Sequence, residues 1–420
     1  MADLIESAPM LDVCDYSEHK TVLGVVSYFV DEVIKPPRKD RATHWKNVRM
    51  LITDLWLAAK ASNNPWRSFS RDKSAYSDGT RNAGIYITFA LVGVVDRLIS
   101  LGYIEQVKGK YNPATGWGRI SRIKATDKLL DLIKIRDIYS VPTINPEIEK
   151  PAVILKDEEK RVIAFEENGR TNEIKVGMLL LNKLYAATRI EVSRKALETD
   201  GFVQLTDKSV FRSFNNSDFW AGGRICGGVW QAVEREYRKT ITIEGEAVTE
   251  LDYKANHPSM MYRLFTGAPI PEDCYAVPGY ERDLLKLAMM RMLNNNSKEA
   301  ATKSVLLGIK KENIKRKRKG RKLLPSLSKD EAVGMIEALE NLHTPILEWL
   351  YNKDHGYTLQ SLEGEIAVDI TLTLMRQDIV CLPVHDSFIV QTKHQEQLKQ
   401  QMIESYKKYL NQTPTIDIKY

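Results

Sequence analysis

Ile379-Val-Cys-Leu-Pro-Val384 is an apolar, strand-like run that enters His385-Asp386-Ser387 and leaves at once through Phe388-Ile-Val390. An apolar run, a polar turn and a second apolar run predict a buried β-hairpin with a carboxylate at its tip. Far upstream, Ala247-Val-Thr-Glu-Leu251 alternates and ends in Asp252, followed by Tyr253 and the polar, helix-opening Lys254-Ala-Asn-His-Pro-Ser259. Two aspartates delivered by two strands are hard oxygen ligands held rigidly, as a pair of Mg²⁺ ions about 3.5–4 Å apart requires for phosphoryl transfer. Alone, His-Asp-Ser after an apolar strand reads equally well as a β-turn in which Asp386 bonds its own backbone. A third element shifts the balance. Arg282-Asp-Leu-Leu-Lys286-Leu-Ala-Met-Met290-Arg-Met-Leu-Asn294 has helical periodicity, with Arg282 and Lys286 four apart on one face and spaced to grip a triphosphate.

Taken in order, these segments resemble the motifs of family A DNA polymerases and the related single-subunit, phage-type RNA polymerases. Asp252-Tyr253 is similar to the first metal-binding motif, Arg282 with Lys286 to the triphosphate-binding helix, and His385-Asp386 to the hairpin bearing the second aspartate. Gln360-Ser-Leu-Glu363-Gly-Glu-Ile-Ala367 resembles the helix before that hairpin, where a polar face approaches nucleic acid. Gly222-Gly-Arg224 lies where family members carry an arginine that contacts the primer-template minor groove. The resemblance covers roughly residues 205–420 and implies an α+β fold: a right-hand polymerase-like palm built on an antiparallel sheet, with helical fingers. Where the family usually places aromatic residues eight and twelve positions after the arginine, Met290 and Asn294 stand here. His257, five after Asp252, occupies the position of a bulky sugar-excluding side chain in the DNA polymerases. Ser387 is the RNA-polymerase version of its motif, so the sugar choice stays open.

The chemistry follows from the residue types. Asp252 and Asp386 would bridge two Mg²⁺ or Mn²⁺ ions, one lowering the pKa of a primer 3′-hydroxyl and the other neutralising the leaving pyrophosphate. The backbone carbonyl of Tyr253 is a further candidate ligand. Arg282, bidentately, and Lys286, as a point charge, would hold the β- and γ-phosphates, with Lys286 placed to protonate the leaving group. Glu250 shares a strand face with Asp252 and reads as a solvated neighbour ahead of a metal assistant. The resemblance implies that His385 orients the primer terminus. His257, His343, His355 and His394 are otherwise scattered singly, without partners at metal-ligand spacing.

A chain of 420 residues with 43% hydrophobic content allows two or three domains with real cores. No run approaches the roughly 18 apolar residues of a membrane span, and Met-Ala-Asp-Leu-Ile-Glu lacks the basic start of a secretion signal. A cytoplasmic protein with no membrane partner is expected. Cys14, Cys226, Cys274 and Cys381 have no paired spacing suited to zinc or a disulfide framework. The net charge of +6 is concentrated: Lys310 to Lys322, KKENIKRKRKGRK, holds nine basic residues and one acid, so the remainder is slightly acidic. Such a run reads as a surface loop or helix end. Lying between the Arg282 helix and the second aspartate, its Lys315, Arg316, Lys317, Arg318 and Lys319 are expected to contact template or primer phosphate.

Residues 1–139 read as a separate, mainly helical region. Val48–Ala61 is one amphipathic helix; Tyr86–Gly102 is another, ended by glycine. Tyr103–Lys110 leads to the turn Asn112-Pro-Ala-Thr-Gly116, and Arg119-Ile-Ser-Arg-Ile-Lys124 returns as a strand. A helix followed by a hairpin carrying Lys108, Lys110, Arg119, Arg122 and Lys124 resembles a winged helix, which implies duplex DNA contact, with protein contact the other common use. Three prolines make residues 140–151 the linker. Residues 152–204, a hairpin around Lys156–Lys160 and a helical Val176–Leu197, read as a bridging or thumb-like region before the palm and fingers of 205–420. Ser328-Lys-Asp-Glu331 is a capping box opening a helix toward Leu342. Thr358–Leu374 is the long helix before the hairpin, with Gln360, Glu363 and Ala367 on a face turned to primer or water. Trp220 and Trp230 flank Arg224 and read as base-stacking or core residues.

The expectation is a compact, template-directed nucleic-acid polymerase without proofreading, whose partners are DNA template, primer and nucleoside triphosphates. Deoxynucleotides are favoured because of His257, and a phage, plasmid or integrated element is the setting the resemblance implies. Two alternatives stand. One is an RNA polymerase or primase-like enzyme, favoured by Ser387, Met290 and Asn294. The other is a DNA-binding replication or regulatory protein with an inactive palm, against which the two aspartates speak.

Overall fold

The computed structural model describes residues 5, 8–12, 16–61, 64–76, 88–112, 117–135, 151–193, 208–318 and 320–420. Cys14, Tyr86, the turn at 113–116, all of the linker but Pro151, the stretch 194–207 and Lys319 lie outside them. The protein is α+β with mainly antiparallel sheets, and its buried apolar residues form two cores, one on each side of the linker.

In the first, α1 (Lys20–Ser27) widens into π-helical turns through Ile34 and is followed by α2 (Arg41–Ala61), β1 (Arg67–Phe69) and α3 (Ala90–Ser100). The strands β2 (Ile104–Val107), β3 (Lys110–Asn112), β4 (Trp117–Arg119) and β5 (Ser121–Ala125) complete it. α3 buries Leu91, Val94, Val95 and Leu98, one helical face, and Gly102 follows it in the left-handed region at φ +75°. β1, β5 and β2 form an antiparallel sheet in that order, while β3 and β4 pair as a ribbon. The basic hairpin is less free than its composition suggests. Arg122 is buried and donates to the carbonyl oxygens of Ile5 and Ile120, and Lys124 pairs with Glu105 and lies over the Trp66 ring. Lys108 and Lys110 stand exposed. On the outer face of α3, Asp96 is held by Arg71.

The second core begins with β6 (Val153–Lys156) and β7 (Val162–Ile163), an antiparallel pair around the expected turn. α4 (Gly169–Ala187) starts well before Val176, because Asn168 and Thr171 form a reciprocal capping box. It gives way to β8 (Ile190–Glu191), not to more helix. β9 (Val210–Asn215) and β10 (Asp218–Gly227) follow, and β6 pairs in parallel with β9. The described part of 152–204 gives β6 and β7 to the sheet β10-β9-β6-β7 and pairs β8 with β11, and Val153, Ile174, Met178 and Tyr185 belong to the second core.

Next come β11 (Thr242–Ile243), β12 (Glu246–Tyr253), α5 (Asn256–Met261), α6 (Arg282–Leu293), α7 (Lys298–Arg318), α8 (Lys329–Leu342) and α9 (Lys353–Met375). The chain ends its regular structure with β13 (Leu382–Val384), β14 (Ser387–Gln391), α10 (Gln395–Leu410) and β15 (Ile416–Ile418). The sheet order is β13-β14-β12-β11-β8, with β15 also paired to β12. α8 starts from the expected capping box at Ser328 and Glu331.

α9 lies directly on β10. A Cβ at Gly364 would stand 2.3 Å from the Gly223 carbonyl oxygen, and Gly222 and Gly223 take φ values of +87° and +82°. Alanine at 364 is accordingly expected to destabilise the protein by about 2 kcal/mol, overpacking outweighing the gain in helix propensity. Urea denaturation checks this, and a stabilised variant would refute the close packing.

Candidate active site

β12 faces two ways. Leu251 and Tyr253 point into the core, where the Tyr253 hydroxyl donates to the Met402 carbonyl oxygen at 2.7 Å and its ring packs on Phe388 and Tyr406. The Tyr253 side chain is thus buried in the core, and its backbone carbonyl stays the candidate ligand. Glu250 and Asp252 occupy the other face by the period of two. The register sets Asp252 directly opposite Ser387, the Tyr253 N–H donates to the Asp386 carbonyl oxygen at 3.3 Å, and Asp386 is thereby brought beside Asp252. The β13–β14 turn consists of His385 and Asp386, with His385 at φ +59°. A non-glycine residue held there carries local strain of the kind that collects at functional sites.

Burial, followed by the charges of Glu363 and Asp252, pushes the Asp386 carboxyl up to about 7. Burial also raises Asp252, opposed by Lys419, whose Nζ lies 2.6 Å from Asp252 Oδ2. Glu250 is not solvated: at 2% exposure, it accepts from Ser387 Oγ at 2.8 Å, Arg238 Nη1 at 3.0 Å and the Tyr420 hydroxyl at 3.0 Å. It binds the two aspartate-bearing strands to each other and to the segment after β15.

Glu363 is likewise buried, at 3% exposure, and does not stand on a solvent-facing surface of the helix. Its Oε2 lies 2.7 Å from Arg224 Nη2 and 2.8 Å from His257 Nε2, which are 3.3 Å from each other. Burial alone would raise this carboxyl; the hydrogen bonds and charges of His257 and Arg224 outweigh it and hold Glu363 at about 2. Arg224 and His257, 33 residues apart in sequence, are therefore joined through a partner that neither motif revealed. Glu363 Oε1 and the Asn256 side-chain amide are buried without a hydrogen-bond partner. His385 reaches solvent, but the surrounding protein, and then the Arg224 charge, hold its imidazole below the ordinary range. Gln360 is half-buried one turn before Glu363.

On α6, Leu284, Leu285, Ala288, Met289 and Met292 pack inward while Arg282, Lys286 and Met290 are exposed, Met290 by 56%. The three are spaced by four, one outward stripe. Arg282 pairs with Asp273, and the Arg282 and Lys286 cations stand 5.2 and 5.8 Å from the Tyr275 ring centroid. Tyr275 was not legible as a site residue. Burial pushes its phenol up to about 12, and it is within electrostatic reach of both Arg282 and Asp386. Asn294 caps the helix by donating to the Met290 carbonyl oxygen.

The basic run is mostly the end of α7. Lys315 and Lys317 are exposed, but Arg316 is tied to Asp283 and Glu312, Arg321 to Glu234 and Glu236, and Lys322 to Glu281. Of the two tryptophans, Trp220 is 62% exposed with the Arg170 guanidinium 3.5 Å over its ring, whereas Trp230 is fully buried and donates to the Pro383 carbonyl oxygen. His343 is a packing residue between the Tyr262 hydroxyl and the Cys274 carbonyl oxygen.

Among the described residues no group of three or more His, Cys, Asp and Glu side chains forms a self-contained metal centre. The donor set nonetheless suits a hard divalent cation. The register brings two carboxylates to neighbouring positions, each raised by burial and like charge, and Glu363, whose charge reaches Asp386, keeps a buried, unpaired Oε1. Such an ion takes its remaining oxygen ligands from phosphates and water. No helix among the described residues is long and apolar enough to cross a membrane.

No protein-family model matches the chain, and no curated protein matches it in sequence. Among solved structures it is similar to the POL domain of Pol1 from M. smegmatis in complex with DNA primer-template and dNTP, at 11% identity and a TM-score of 0.28. The match covers 50% of this chain and 47% of that one, so it spans about half the length of its structural neighbour. A superposition this loose decides nothing about fold or chemistry, which rest here on the residues themselves.

Proposed function

We propose that the chain is a template-directed nucleic-acid polymerase that transfers nucleotides to a primer 3′-hydroxyl, with deoxynucleotides preferred. The observation that carries this reading is the β12–β14 register, which sets Asp252 beside Asp386 in a setting that raises both carboxyls. Asp252 and Asp386 would hold Mg²⁺ or Mn²⁺, and bound ions would acidify the attacking hydroxyl and neutralise the leaving group. Arg282 and Lys286 bind the triphosphate from the exposed stripe of α6, and Met290 is the apolar surface next along it. His257 is fixed against the sugar by Glu363. Arg224, Gln360 and His385 approach the primer end. The described part of residues 1–139, a helix leading into a basic hairpin, supports a winged-helix-like DNA contact through Lys108 and Lys110.

The test is extension of a labelled DNA primer on a DNA template with Mg²⁺, comparing dNTPs with NTPs and leaving out primer or template in turn. Template-dictated DNA products support the reading; products from NTPs alone would replace it with an RNA polymerase or primase, and none at all would favour a DNA-binding regulator. Because Arg316 is already paired, the phosphate contact of the basic run reduces to Lys315 and Lys317 among its described central residues. Neutralising both is expected to weaken template binding by about three- to tenfold near 100 mM salt and to flatten the salt dependence by up to about two charges. An unchanged slope would mean that neither lysine touches phosphate.

A further inference from the structure

β15 pairs with β12 in a register that sets Asp417 directly opposite Asp252. Like charges facing each other across an antiparallel pair are unfavourable. Lys419, two residues further on, answers both: its Nζ is 2.6 Å from Asp252 and 3.7 Å from Asp417. The lysine is mostly buried, with 16% of its side chain exposed, while Asp417 is 47% exposed. Its backbone is fixed, since the Lys419 N–H donates to the Glu250 carbonyl oxygen at 2.9 Å and Thr249 Oγ1 donates to the Tyr420 carbonyl oxygen at 2.6 Å. The ammonium thus has one anchored stem and two carboxylates within reach, one belonging to the candidate catalytic pair and the other lying at the solvent edge.

We infer that Lys419 is a resident counter-ion of the site, which pairs with Asp252 when no metal is bound and yields that carboxylate to a divalent cation by moving toward Asp417. This rests on the reading of Asp252 and Asp386 as metal ligands and adds a residue that sets how tightly they bind. A side chain that stabilises only the metal-free state must lower metal affinity, and the metal must weaken the side chain's pairing by the same factor. Without Lys419 the ion meets an uncompensated carboxylate. Without Asp417 the lysine has nowhere to go and competes harder.

The probe is Mn²⁺ alone, titrated into the full chain without nucleotide and followed by its electron paramagnetic resonance signal. Asp386→Asn identifies which binding belongs to the site. Lys419→Met is expected to tighten that binding by about fivefold or more, and Lys419→Arg to leave it close to wild type. Asp417→Asn is expected to loosen it severalfold in the wild-type background and to change it less than twofold beside Lys419→Met. Should Lys419→Met not fold, the Asp417→Asn arm and Lys419→Gln decide the same point. Equal or looser binding on loss of the lysine would overturn the inference while leaving the metal site intact. A wild-type chain with no Asp386-dependent Mn²⁺ binding would overturn both.

Discussion

Asparagine at position 386 is expected to reduce template-directed incorporation by about a thousandfold or more and, at pH 8, to make the protein more stable. The first effect follows from the donor set, because one of the two candidate ligand carboxylates is lost and an amide cannot replace its charge toward a divalent cation. The second follows from linkage. The Asp386 carboxyl is raised from its ordinary value near 3.8 to about 7 by burial and by Glu363 and Asp252. The native state therefore binds this proton more tightly than the unfolded chain does. Stability falls as pH rises from about 4 to about 7, and the full cost is present above that. The gap corresponds to about 4 kcal/mol at complete burial, and solvent reaching the turn brings it to about 2. Asp386→Asn should thus gain about 2 kcal/mol at pH 8 and nothing near pH 4, read by urea denaturation at the two pH values. Equal stability of variant and wild type at both would mean that the negative charge at the hairpin tip is already compensated.

The two aspartates were legible because their signals are local: a period of two along β12, and an apolar run broken by a polar turn at 385–387. Their adjacency was not local, and only the register of β12 on β14 supplies it. The partners of Glu250 explain why its burial is not legible in the sequence. Arg238, Ser387 and Tyr420 lie 12, 137 and 170 residues away, and no pattern around Glu250 points to any of them. Glu363 lies on the expected helix but on its buried face. Its neighbour Gly364 admits β10 to van der Waals contact, which turns a face that looks polar in the sequence into an interface.

Charge misled for a related reason. Arg316, Arg321 and Lys322 look free in the sequence, yet Asp283, Glu312, Glu234 and Glu281 are folded against them. The early start of α4 was hidden because threonine, not glutamate or glutamine, completes its capping box. Ile416-Asp-Ile-Lys419 also alternates, and a strand there places Asp417 and Lys419 on one face.

Glutamine at position 363 should be the most destabilising of the conservative changes in the site, costing about 3 kcal/mol at pH 7. Glu363 is held at about 2 against an ordinary value near 4.5, by His257 and Arg224 in spite of its burial. A carboxyl depressed in this way contributes stability that is present above about 4.5 and lost as pH falls toward 2. Glutamine keeps the volume and can accept one hydrogen bond, but it leaves Arg224 without a counter-charge in a poorly solvated place and His257 without its carboxylate partner. The loss should therefore be about 3 kcal/mol at pH 7 and shrink toward 1 or less near pH 2, where wild-type Glu363 is itself half protonated. A loss equally large at both would assign the role to shape, not charge. The same substitution acts on the hairpin in the opposite sense. Glu363 is the larger of the two charges that raise Asp386, so removing it should let Asp386 ionise at lower pH. One buried carboxylate thus stabilises its own cluster while keeping its neighbour reluctant to ionise, an opposition of the kind that separates roles among acids in one site.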